Sequence, residues 1–146
     1  MARSSKSARS RTEVETASGP SLAQLIEQTQ IDFELDFYGK LLEKNPYSYE
    51  VLRAHASNLA QKKLYHESLL IERRIIELRP KDALAHYNLA CNLALLKQAD
   101  QALDTLRQAL ELGYRDFPYI HRDRDLDSVR KDPRFRKLIR EFENRS

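Results

Sequence analysis

Apolar side chains recur along this chain at intervals of three and four residues. Leu22, Leu25 and Ile26 are followed by Phe33, Phe37, Leu41 and Leu42, the spacing that lines one face of a helix. The same period runs through 48–61, 66–78, 83–96 and 99–112, and nothing alternates with period two over the length of a strand. A final stripe, Phe135, Leu138, Ile139 and Phe142, closes the pattern. The predicted fold class is all-α.

Prolines mark where these helices must stop, because proline is tolerated in a helix's first turn but breaks its interior. Pro20, Pro46, Pro80, Pro118 and Pro133 fall between the periodic segments. Ser21 with Gln24 three residues on has the form of a capping box. Gly113 follows Leu112 as a helix C′ residue, and Asp132-Pro133 reads as an N-cap followed by the first helical position. Residues 21–46 therefore carry one helix or two.

Residues 1–20 differ in kind. They hold Arg3, Lys6, Arg9, Arg11 and five serines, with almost no large apolar side chain. Such a segment cannot bury enough surface to offset its ordering entropy, and a disordered leader is predicted. It lacks the apolar stretch of a secretory signal. Its first twelve residues contain no acid, as in organelle transit peptides, but no amphipathic apolar face accompanies the arginines. The helical domain is expected over 21–146.

Laid over one another at a period of 34, residues 49–82 and 83–116 coincide at helical spacings. Ala56, Asn58, Leu59, Ala60, Lys63, Leu69, Arg73, Glu77 and Leu78 recur as Ala90, Asn92, Leu93, Ala94, Lys97, Leu103, Arg107, Glu111 and Leu112. One step earlier, 37–46 matches 71–80 in pattern and in its closing proline. This 34-residue helix–turn–helix period resembles the tetratricopeptide repeat family. The second repeat meets the family pattern with Leu89, Ala90, Leu93, Ala102, Leu106 and Ala109, with His86 where Trp is usual and Tyr114 where Pro is usual. The first offers Leu52, Ala56, Leu59, Ser68, Ile75 and Pro80, and departs at His55 and Glu72, where apolar residues are the rule.

The resemblance implies a short α-solenoid of antiparallel helix pairs. Residues 21–46 would supply a half repeat or cap, 49–82 and 83–116 two repeats, and 117–146 a closing cap. Small residues at Ala56, Ser68, Ala90, Ala102 and Ala109 would let paired helices approach closely. The cap's nine basic and six acidic residues suit the polar outer face that a terminal repeat presents to water.

Function in such proteins resides on the concave surface. Carried over by position, the groove residues are Glu50, Arg53, Ala54, Ser57, Ala60 and Gln61 from the first repeat. From the second they are Leu84, Tyr87, Asn88, Cys91, Ala94 and Leu95. The chaperone-binding branch of the family holds a ligand carboxylate with Lys, Asn and Arg over three repeats. The corresponding positions here are Arg53, Ser57, Asn88, Pro118 and Arg122, so Ser57 and Pro118 break that pattern. Arg53, Asn88 and Arg122 retain donors that suit an acidic or carboxylate-ending peptide.

Composition narrows the alternatives. With 41% hydrophobic residues the chain can build one core, and three glycines leave little room for a phosphate-binding loop. No apolar run reaches the length of a membrane span. A lone cysteine, Cys91, excludes an internal disulfide and fits a reducing, cytoplasmic setting. Four histidines without metal-type spacing, and Cys91 without an aligned histidine, suggest neither a metal site nor a catalytic one. No cofactor is expected. Lys plus Arg exceed Asp plus Glu by 25 to 22, too small an excess to argue for nucleic acid. The expectation is a non-catalytic adaptor that binds a protein or peptide in its groove. The alternative is a self-associating module, a homodimer through 21–46.

Overall fold

The computed structural model describes residues 19–145. The leader expected over 1–20, with its four basic residues, lies outside them apart from Gly19 and Pro20. The chain divides into two units, Met1–Phe33 and Glu34–Ser146. Among the described residues every regular element is helical.

Helix α1 (Leu22–Lys44) is one continuous helix that begins in the first unit and ends in the second. Its start is the reciprocal cap expected from Ser21 and Gln24. The Ser21 N–H donates to Gln24 Oε1 at 2.8 Å, and the Gln24 N–H donates to Ser21 Oγ at 3.2 Å. Within the first unit Leu22, Leu25 and Ile26 are exposed, while Ile31 is buried.

The second unit is built on two antiparallel pairs, α2 (Tyr49–Gln61) with α3 (Tyr65–Leu78) and α4 (Ala83–Leu95) with α5 (Ala99–Glu111). Short elements follow: α6 (Phe117–Arg122), a 3-10 turn (Arg124–Leu126), α7 (Asp127–Arg130) and α8 (Pro133–Glu143). Leu42 from the end of α1 joins Leu52, Ala56, Leu59, Ile71, Ile75 and Ala85 in one core cluster. A larger cluster gathers Leu89, Leu93, Leu103, Leu106 and Leu110 with Ile120, Leu126, Val129, Phe135, Leu138, Ile139 and Phe142. The apolar stripe of α8 is thus buried against the second helix pair.

Three helices end in the same way. Lys63, Lys97 and Gly113 have φ of 62°, 63° and 110°. Each is the C′ residue of a Schellman motif: the N–H groups of Lys63 and Leu64 donate to the carbonyls of Ala60 and Leu59, and those of Lys97 and Gln98 to Ala94 and Leu93. Those of Gly113 and Tyr114 donate to Leu110 and Ala109. This geometry turns the chain back and satisfies orphan carbonyls. Lys63 and its 34-residue recurrence, Lys97, thus share one backbone geometry.

The expected small residues sit at the helix contacts. Ala56, Ser68, Ala90, Ala102 and Ala109 are all buried. Ser68 is the polar one, and its hydroxyl donates to the Ala56 carbonyl at 3.0 Å while accepting from Asn92 Nδ2 at 3.1 Å. His55, a departure from the apolar pattern, is half-buried, and among the described residues its Nδ1 has no hydrogen-bond partner. Burial, and then the charge of Arg74, hold its pKa below the usual histidine value.

Candidate functional site

The two first helices of the pairs, α2 and α4, expose one side of a concave groove of about 590 Å³. Helical spacing places Arg53, Ser57, Ala60 and Gln61 along α2, and Leu84, Asn88 and Cys91 along α4. All of these line the cavity, with Ala54. Ala54, Ser57 and Ala60 leave an open floor where larger side chains would fill it.

Its charged part is a network centred on Glu72 of α3, which is only 3% exposed. Asn88 Nδ2 donates to Glu72 Oε1 at 3.2 Å, and Arg53 Nη1 lies 3.5 Å from Glu72 Oε2. The other guanidinium nitrogen of Arg53 lies 2.7 Å from Asp82 Oδ2. Asp82 also caps α4 by accepting from the Ala85 N–H at 3.1 Å, and accepts from the Tyr49 hydroxyl at 3.3 Å. Burial raises the Glu72 pKa to about 7, against the opposing pull of Arg53 and of the Asn88 hydrogen bond. Arg53 and Asn88, expected as donors to a ligand, are thus engaged by the protein's own carboxylates.

The closing segment supplies the far wall with Tyr119 and Asp125. Behind them, buried Asp123 accepts from the Tyr87 hydroxyl at 2.5 Å and from Cys91 Sγ at 3.7 Å. Burial, followed by the charges of Asp123 and Asp125, pushes the Cys91 thiol well above its ordinary pKa. Since the thiolate is the nucleophile and metal ligand, this environment works against both roles. Sγ of Cys91 and carboxylate oxygens of Asp123 and Asp125 do lie within 4.8 Å of one another, but Asp123 already serves as the acceptor that ties α4 to the cap.

Five expected groove residues stand elsewhere. Tyr87 is a core residue, 2% exposed, whose ring stacks on Tyr114 with centroids 4.2 Å apart. Glu50 is exposed in the first turn of α2, and half-buried Leu95 ends α4; neither lines the cavity. Arg122 places its guanidinium 5.7 Å from the Tyr119 ring centroid, outside the lining. Ala94 is fully buried. Conversely, Ser68, Glu72, Asn92, Tyr119 and Asp125 line the groove without having been expected there. Glu72 had left a signal, a carboxylate where the repeat pattern wants an apolar residue. Tyr119 and Asp125 come from a segment too short and irregular for periodicity to orient.

No family model matches this chain. A chloroplastic protein from Arabidopsis thaliana is 40% identical over 65 residues, 44% of this chain and 19% of that protein's length. Among solved structures, MamA MSR-1 C2 superposes with a TM-score of 0.58 at 17% identity, covering 82% of this chain and 71% of that one. MamA RS-1 ArsTM double mutant gives a TM-score of 0.57 at 17% identity, covering 85% and 70%. The fold is an all-α solenoid of paired helices like that of these structures. Among the described residues no helix is long and apolar enough to cross a membrane.

Proposed function

We propose that this protein is a non-catalytic interaction module whose concave groove binds an extended or helical segment of a partner protein. The observation that carries this reading is the groove itself: about 590 Å³, floored by small residues and walled by Leu84 and Tyr119, with polar groups at Ser57, Gln61 and Asp125. Apolar walls with a few placed polar groups are what a bound segment needs for affinity and orientation. The solenoid resemblance supports the same general role.

The chemistry of the floor shapes the ligand. A carboxylate-ending ligand would compete with Glu72 for Arg53 and Asn88, so the network disfavours that expectation. Asp125 has no cation within ion-pair distance among the described residues. A segment bringing N–H donors or a basic side chain toward Asp125, and an apolar side chain between Leu84 and Tyr119, fits best.

Ser57→Trp tests the reading, because Ser57 is exposed on the open floor. A peptide selected from a random library on the full chain should lose at least tenfold in affinity to the filled groove, with the melting temperature unchanged. Undiminished binding would show that the peptide does not occupy the groove.

Self-association remains the second reading, on one observation. Leu22, Leu25, Ile26 and Phe33 line a concavity of about 530 Å³ on α1, and all four are exposed. Sedimentation equilibrium of the full chain separates the two: a concentration-independent monomer opposes the second reading.

A further inference from the structure

We propose that the outward face of α8 is a second interaction surface, separate from the groove, which takes an acidic segment of a partner protein through Arg136, Lys137 and Arg140. The face consists of two ridges. Arg136, Arg140 and Asn144 stand at successive intervals of four, and Pro133, Lys137 and Glu141 form the neighbouring row. Between them lies a shallow depression of about 390 Å³ lined by these six residues.

What distinguishes this face is which cations are already satisfied. Arg134 is held by Asp132 and Asp100, each at 2.8 Å. Arg145 and Arg107 share Glu141 at 2.8 and 3.1 Å, so the acid in the depression is already committed. Arg136, Lys137 and Arg140 are exposed, and among the described residues no carboxylate lies within ion-pair distance of any of them. Arg136 makes one long hydrogen bond, to the Lys131 carbonyl at 3.4 Å, and keeps its other donors.

Solubility does not require this arrangement. A terminal helix needs a polar outer face, which mixed charges provide without self-repulsion. Like charges four apart, as at Arg136 and Arg140, destabilise a helix. The macrodipole also disfavours a cation in a helix's first turn, at whose end Arg136 stands. Two guanidinium forks one turn apart match two carboxylates spaced one turn along a helix, or two residues apart along a strand.

A bilayer fits less well. Interfacial helices insert apolar side chains beside their basic ones, whereas Phe135, Leu138, Ile139 and Phe142 are buried in the core. Nucleic acid fits less well too, since no aromatic side chain lines the depression to stack on a base.

The test titrates the full chain with a fluorescent Glu-rich peptide, its Gln-substituted counterpart, phosphatidylserine vesicles and single-stranded DNA. The Glu peptide should bind, more weakly as salt rises, and the Gln peptide should not. Arg136→Glu/Arg140→Glu should lower affinity more than tenfold, whereas Arg73→Glu/Lys81→Glu, an equal change in net charge at exposed sites, should lower it much less. Ser57→Trp should have no effect, which separates this surface from the groove. If the double Glu variant unfolds, Arg136→Gln/Arg140→Gln reads the same loss with less perturbation. Equal losses in the two charge-changed pairs, binding of the Gln peptide, failure of the Glu peptide to bind, or binding by vesicles or DNA in its place would each overturn the proposal.

Discussion

Arg53 of α2 reaches Asp82 at 2.7 Å, so the ion pair that crosses from one helix pair to the next ends on the residue that caps α4. Asp82 is therefore asked to do two jobs, and two substitutions separate them. Asn can still cap a helix but carries no charge, whereas Ala does neither. Asp82→Ala should cost about 1–3 kcal/mol, combining a lost cap with a partly buried charge partner left alone. Asp82→Asn should cost less than half as much. Urea denaturation checks both, and equal losses would mean the cap contributes nothing.

The pH dependence follows from Glu72. Burial raises its folded pKa to about 7, while in the unfolded chain it titrates as an ordinary glutamate. Between those values the folded state holds the extra proton, so the stability this group contributes is present below the unfolded pKa and is lost as pH rises through about 7. A shift of this direction and size corresponds to at most about 3 kcal/mol. Glu72→Gln mimics the protonated form and keeps an acceptor for Asn88. The variant should melt several degrees above the parent near pH 8, and the gap should close near pH 5. Thermal melts of the two proteins across that range measure it; a gap independent of pH would contradict the assignment.

The three Schellman turns make a paired prediction. A non-glycine residue in the left-handed region costs roughly 1 kcal/mol, and Lys63 and Lys97 both stand there. Lys63→Gly and Lys97→Gly should each stabilise the fold by up to about 1 kcal/mol. Gly113→Ala should destabilise it by about 1 kcal/mol or more, although among the described residues no atom beyond its chain neighbours lies within 4 Å of the added Cβ. Chemical denaturation of the three variants should give opposite signs.

Helix contacts can be tested by overpacking. Ala90 is fully buried and Ala102 nearly so. Replacing either by Leu should cost about 1–3 kcal/mol. Neutral behaviour at both in denaturant titrations would mean these helices do not pack as described.

Much of the fold was readable because it rests on local rules. The period of three and four located the helices, Ser21 and Gln24 located the start of α1, and the recurrence of Ala56 as Ala90 marked where helices touch. The groove was less readable. Arg53 and Asn88 occupy the expected positions, yet the carboxylate that binds them comes from α3, on the second helix of a pair. Tyr87 shows the same limit. Its place in the helix suited the groove, but a stacking partner at Tyr114 and a buried acceptor at Asp123 drew it into the core. Both depend on residues distant in sequence, and no periodicity encodes them.

Binding of a partner segment in the concave groove, as proposed, has a residue-by-residue readout. Amide chemical-shift mapping of the full chain, titrated with a peptide selected on it from a random library, tests this most directly. The largest shifts should cluster at Ser57, Gln61, Leu84, Asn88, Tyr119 and Asp125, and Ser57→Trp should abolish them. Shifts confined to the exposed face of α1 or to the outer face of α8, with the groove amides unmoved, would contradict it.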